Sequence, residues 1–202
     1  MPFRAPFLRY DEIRNRAEAF LAQYQPMRAI PVPIERIVES HFGIDIVPVP
    51  GLQEAFDVVA YITQDLREIR VDEFVYLRRH NRYRFSLAHE LAHRVLHADV
   101  FGELSFTDIA GWKRLMVGSI PEQQYSYLEF HANSFAGLAL VPPAELREAF
   151  HDFLEEGQEH GIEFDEPDTG AREAAEAHIA KLFEVSSDVV HRRIEKDRLW
   201  HD

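Results

Sequence analysis

The 202-residue sequence predicts an α+β fold, in which a small, mainly antiparallel sheet packs on a helical core and further helices follow at the C-terminal end. Three observations lead there. Apolar residues recur at helical spacing through most of the chain. Stretches with strand character are short and confined to residues 44–72. A long, largely apolar helix at 81–97 is followed by another at about 120–140, and each needs a partner face to bury.

Residues 10–24 set Ile13, Ala17, Phe20, Leu21 and Tyr24 at helical spacing. Pro26, Pro31 and Pro33 interrupt the chain. A short helix follows, with Ile34, Ile37 and Val38 inward and Gly43 as its stop. Residues 44–49 read as a strand, and Pro48, which has no N–H to give, favours an edge. Residues 58–63 form a second strand, 64–67 a turn, and 68–72 a half-buried third strand by its polar/apolar alternation. If 68–72 lies at an edge near a site, it can hold an extended substrate by backbone pairing.

Residues 98–118, punctuated by Gly102, Gly111 and Gly118, read equally as a cover or a plain insertion, with Trp112, Leu115 and Met116 offering apolar contact. Ser119-Ile120-Pro121-Glu122 reads as a capping box opening the second long helix, which Pro142-Pro143 end. These prolines start a helix with the stripe Leu146, Ala149, Phe150, Phe153 and Leu154. An acidic loop is expected at 157–171, and helices at 174–183 and 187–198. The division expected is a domain at 1–160 and a helical extension at 161–202, whose last two helices have helix-turn-helix-like spacing.

With no cysteine, a disulfide framework or thiolate metal site is excluded, and any metal ligand must be His, Asp or Glu. No signal-like stretch and no bilayer-length apolar run is present, so a soluble, cytoplasmic protein without membrane partners is expected. The net charge of −13 is uneven: residues 1–100 carry 13 basic and 14 acidic groups, residues 101–202 carry 9 and 21. A field of that sign repels phosphate backbones, which argues against direct nucleic-acid binding. Arg78, Arg79, Arg82, Arg84 and Arg94 gather near the 81–97 helix, as a solvated face or as a seat for an acidic segment.

That helix contains His89-Glu90-Leu91-Ala92-His93. Four residues along a helix return to the same face, so the two imidazoles stand one turn apart and can share one Zn²⁺, with Glu90 beside them to handle a water. The neighbours Leu87, Ala88, Leu91, Ala92, Val95 and Leu96 bury the segment, and burying two His and a Glu without partners is costly. A catalytic zinc needs a third ligand. Asp99 has the right separation but lacks the glycine that turns the chain in the class using it. His97 lies two turns from His89, too far to share the ion easily, and suits a supporting role. Glu129 is preferred: it lies on a second helix among apolar neighbours, with Asn133 one turn on to accept a hydrogen bond from a ligand imidazole.

The segment RFSLAHELAHRVLH, followed by Glu129-Phe130-His131-Ala132-Asn133-Ser134-Phe135-Ala136 and on to Pro142, resembles the ImmA/IrrE family of zinc metallopeptidases. That family pairs an RRRFTLAHELGHLLLH-like helix with an ExxANxFAxxLLMP-like one. The similarity extends over about residues 28–198, including Ile179–Ser186, Val189-Val190 and Arg192–Ile194. Ala92 stands where glycine is frequent, His131 where an acid is frequent, and the 98–118 insertion is long.

The resemblance implies a zincin-like helical core, with His89, His93 and Glu129 as ligands and Glu90 as catalytic residue. It implies a zinc-dependent endopeptidase acting on a specific regulatory protein, such as a helix-turn-helix DNA-binding repressor, in stress or mobile-element control. Tyr125, Tyr127 and His131 are the candidates for stabilising an oxyanion. The alternative from another class is a non-catalytic zinc-containing protein that sequesters a regulator, against which an intact Glu90 argues.

Overall fold

Strand β3 (Glu68–Asp72) is the middle of a three-stranded sheet ordered β1-β3-β2. A computed structural model describes residues 5–104, 106–118, 120–161 and 169–200. β1 (Asp45–Val49) runs parallel to β3, from Asp45 opposite Glu68 to Val49 opposite Asp72. β2 (Ala60–Ile62) runs antiparallel to it, with Tyr61 opposite Arg70. The sheet is therefore mixed, and β3 is not the edge strand. Helix α3 (Leu52–Phe56) carries the chain past the place beside β1, so β2 takes the outer position and the 63–67 turn brings β3 back between them. Ile69 and Val71 are fully buried in consequence, and Pro48 sits in an edge strand as its missing N–H requires.

The helices match the sequence periodicity closely. Helix α1 (Tyr10–Tyr24) buries Ile13, Ala17 and Phe20. Helix α2 (Ile34–Arg36) continues through a π-helical turn at Ile37–His41, and Gly43 ends it at φ +61°. Asp72 joins the sheet to α4 (Glu73–Arg78): one carboxylate oxygen caps the Val75 N–H and the other accepts from the Gln53 N–H.

Helix α5 (His80–Leu96) and helix α8 (Glu122–Leu140) form the most extensive helix pair. Ala88, Leu91 and Ala92 on α5 and Ala132, Phe135 and Ala136 on α8 are all fully buried. Small residues on both faces let the two backbones approach closely, which places one helix's polar residues within reach of the other's. Helix α8 starts at Glu122 with Pro121 as N-cap and no side-chain cap; Ser119 of the expected capping box lies outside the described residues.

Residues 98–118 fold into α6 (Ala98–Glu103) and α7 (Ile109–Gly118). They are tied across to the sheet side: Gln64 donates to the Leu104 carbonyl, and the Lys113 ammonium donates to the Phe56 carbonyl. Helix α9 (Pro143–Glu159) and helix α10 (Thr169–Phe183) both reach into the stretch expected to be an acidic loop, of which 162–168 lies outside the described residues. Amphipathic pairing of α9 with α10 extends both helices further than the glycines suggest.

Helix α11 (Ser187–Asp197) packs on α10, and Ile179, Phe183, Val190 and Ile194 join the same buried cluster as Leu87 and Leu91. Two arginines, Arg84 and Arg193, are buried struts. Arg84 donates to the carbonyls of Val32 and Glu184. Arg193 donates to the Val141 carbonyl, the Tyr10 hydroxyl and the Asp197 carboxylate, tying α11 to α8 and α1. No described helix is long and apolar enough to cross a membrane.

Candidate metal centre

His89 and His93 project from one face of α5 toward Glu129 of α8. Their Nε2 atoms are 3.3 Å apart, and the Glu129 carboxylate oxygens lie 3.5 Å from His89 Nε2 and 3.9 Å from His93 Nε2. Among the described residues this is the one group of three His, Asp or Glu side chains close enough to hold a metal ion. Bonds of 2.0–2.1 Å in a tetrahedron put neighbouring donors about 3.3 Å apart, so the three separations suit a small divalent cation with little movement. The donor chemistry fits as well: two nitrogens, one carboxylate oxygen, and a fourth direction open to a cleft.

Asn133 Oδ1 lies 3.2 Å from His89 Nδ1, one turn beyond Glu129. An acceptor there fixes the proton on Nδ1 and leaves the Nε2 lone pair facing the cluster. Asp99, on α6, is not part of the group. His97 is not part of it either: it is buried, with its Nδ1 3.0 Å from His93 Nδ1 and its Nε2 3.1 Å from His131 Nδ1. Burial lowers the pKa of His93, His97 and His131, and the neighbouring histidines push those of His93 and His97 down further, so the surroundings disfavour the charged form of these rings.

Glu90 is 8% exposed and accepts the Ile62 N–H at 2.9 Å. Burial drives its pKa up, to about 7, with Glu129 adding and His89 and the Ile62 N–H opposing. The link runs from the motif helix to the sheet, and its sheet partner is β2. Val59 O and Thr63 N pair with β3, so the alternating groups of Ala60 and Ile62 turn to the other edge. There Ile62 meets Glu90 while Ala60 faces the cleft.

That cleft, about 190 Å³, is lined by His89, Glu90, His93, Glu129, Tyr125, Ala60 and, from the 98–118 segment, Phe101 and Trp112. The segment is thus a wall of the site. Of the three oxyanion candidates only Tyr125 lines the cleft; burial first and the neighbouring Glu129 second hold its pKa above the usual phenol range. Tyr127 instead bonds Gln123 and meets Phe7 edge-on, and His131 is fully buried. A larger groove of about 860 Å³ lies between α5, α8 and α11, backs onto Asn133 and has none of the three clustered donors in its lining. The Ile62 amide and the wall residue Phe101 had no signal in the sequence, because both depend on how distant segments meet.

A His/His/Glu cluster carried on two packed helices, with a buried Glu beside it and a sheet edge along the cleft, is an arrangement that fits a metallopeptidase. Residues 39–195 match the IrrE N-terminal-like peptidase domain, and the chain belongs to that ImmA/IrrE family. No curated protein matches the sequence significantly.

Proposed function

We propose that the protein is a zinc-dependent endopeptidase that cuts a specific regulatory protein, with a DNA-binding repressor as the substrate class. The observation that carries the reading is the convergence of His89, His93 and Glu129 beside Glu90. His89 and His93 would hold the ion through Nε2, and Glu129 through its carboxylate. Bound zinc supplies Lewis acidity, polarising the scissile carbonyl and acidifying a water.

The rest is the work of the chain. The Ile62 N–H holds one Glu90 oxygen, and the other receives the proton of the attacking water and passes it to the leaving amine. The Tyr125 hydroxyl donates to the oxyanion that develops on the carbonyl. An extended peptide pairs with the Ala60 edge of β2, the role that residues 68–72 could have filled only from an edge position. The size of the cleft and its walls at Phe101 and Trp112 favour one exposed loop of a folded partner over general digestion.

Co-expression with candidate repressors, followed by mass spectrometry, tests the proposal. A new cleavage product is expected with the wild type and not with Glu90→Gln, while Glu90→Gln still binds zinc. Equal cleavage by a zinc-loaded Glu90→Gln sample would sink the mechanism, and full zinc occupancy in His89→Ala would sink the ligand assignment.

A further inference from the structure

Ring nitrogens in this protein form a continuous line from the N-terminal strap to the candidate centre. The Leu8 N–H donates to His131 Nε2 at 3.0 Å. His131 Nδ1 meets His97 Nε2, His97 Nδ1 meets His93 Nδ1, His93 Nε2 meets His89 Nε2, and His89 Nδ1 meets Asn133 Oδ1. A neutral imidazole has one donor nitrogen and one acceptor nitrogen. The two ends therefore fix every link between them. Because Leu8 donates, His131 carries its proton on Nδ1 and gives it to His97 Nε2. His97 then carries its proton on Nδ1 and gives it to His93 Nδ1. His93 in turn carries its proton on Nε2, directed at His89 Nε2. His89 donates from Nδ1 to Asn133, where an amide oxygen can only accept.

This arrangement leaves His89 ready to ligate and His93 not, because His93 Nε2 holds a proton where a metal needs a lone pair. We infer that His97 and His131 are positioning residues for His93, and that metal uptake by His93 and docking of the Leu8 amide oppose one another through them. The inference rests on the metal reading above. For His93 to ligate through Nε2, its proton must stand on Nδ1. His97 must then accept at Nδ1 and donate from Nε2, and His131 must accept at Nδ1 and carry its proton on Nε2. Each ring keeps one proton and changes only which nitrogen bears it. The end of the chain is then two donors, His131 Nε2–H and Leu8 N–H, facing each other, and that contact has to open.

The strap has other holds, so opening is local. The Ala5 N–H donates to Gln124 Oε1 at 2.7 Å, the Leu8 side chain is buried, and Phe7 packs edge-on against Tyr127. Gln124 and Tyr127 both belong to α8, the helix that carries Glu129. A carboxylate in place of His131 accepts from both sides and abolishes the conflict.

Long-range ¹H–¹⁵N correlation spectra of the histidines and amide hydrogen exchange at Leu8 test this, on full-length protein stripped of metal and then titrated with zinc. Before zinc, His97 and His131 are expected with the proton on Nδ1 and Leu8 protected. With zinc, both protons move to Nε2 and the Leu8 amide exchanges at least roughly tenfold faster. His131→Glu is expected to bind zinc about tenfold or more tighter, as supporting residues of a metal site do, with Leu8 exchange no longer responding to zinc. Zinc uptake by the wild type with an unchanged His131 tautomer and unchanged Leu8 protection overturns the relay while leaving the metal reading intact. A His131→Glu protein whose Leu8 amide still responds to zinc also overturns it. Failure of the wild type to bind zinc overturns the metal reading and the relay with it.

Discussion

The Glu90 carboxylate accepts the Ile62 N–H at 2.9 Å, so the acid of the helical motif is held by the edge strand of the sheet. One methylene decides whether that hold survives. Glu90→Asp is expected to lower kcat about 100-fold at unchanged zinc content, because a shift of about 1 Å in a proton-transfer group costs that much. Steady-state kinetics on metal-assayed protein measure it, and an Asp variant with wild-type kcat removes the positional role.

Asn133 fixes the His89 tautomer across 3.2 Å. Asn133→Ala is expected to weaken zinc binding about 10- to 100-fold, measured by competition with a chromogenic chelator. Affinity equal to wild type is the opposing outcome.

Tyr125 is the one hydroxyl among the three oxyanion candidates that reaches the cleft. Tyr125→Phe is expected to cut kcat by about 100- to 1000-fold with KM little changed, since the donor acts on charge that develops only in the transition state. A change in KM alone assigns the residue to substrate binding instead.

Phe135 of α8 is fully buried and meets Phe20 of α1 edge-on at 5.3 Å. Phe135→Ala is expected to cost about 3–5 kcal/mol of stability from lost burial and a residual cavity. Urea denaturation followed by circular dichroism checks this; a loss under about 1 kcal/mol contradicts the packing described.

His191 of α11 pairs with Glu176 of α10 at 2.7 Å, and that hydrogen bond raises the His191 pKa. A folded pKa above the unfolded one means that the pair supports the fold fully below the unfolded value of 6.5 and loses that support as pH rises through the folded value. Proton NMR titration is expected to find His191 above the ordinary histidine range and Glu176→Gln to return it. An identical midpoint in both proteins rules the pair out as the cause.

The long helices were legible because their apolar periodicity is a local property: α5 and α11 each begin and end within one residue of the sequence expectation. The sheet was less legible. Strand lengths and the turn follow from local pattern, but the order β1-β3-β2 depends on where α3 carries the chain, and a meander has the same sequence signature. The 98–118 segment was undecided for a related reason, since only its tethers to Gln64 and Phe56 make it a wall.

Taken alone, the sequence picked out the candidate groups of the site. Helical spacing puts His89 and His93 on one face, and two motifs on two helices make Glu129 and Asn133 their partners. Tertiary structure decided what surrounds them. It put Tyr125 in the cleft and left Tyr127 and His131 out of it, gave the edge to β2, buried Arg84 and Arg193 as struts, and joined the strap at Leu8 to His93 through His131 and His97. Spacing along one helix is set by 3.6 residues per turn, whereas contacts between segments far apart in sequence are set by how the whole core closes.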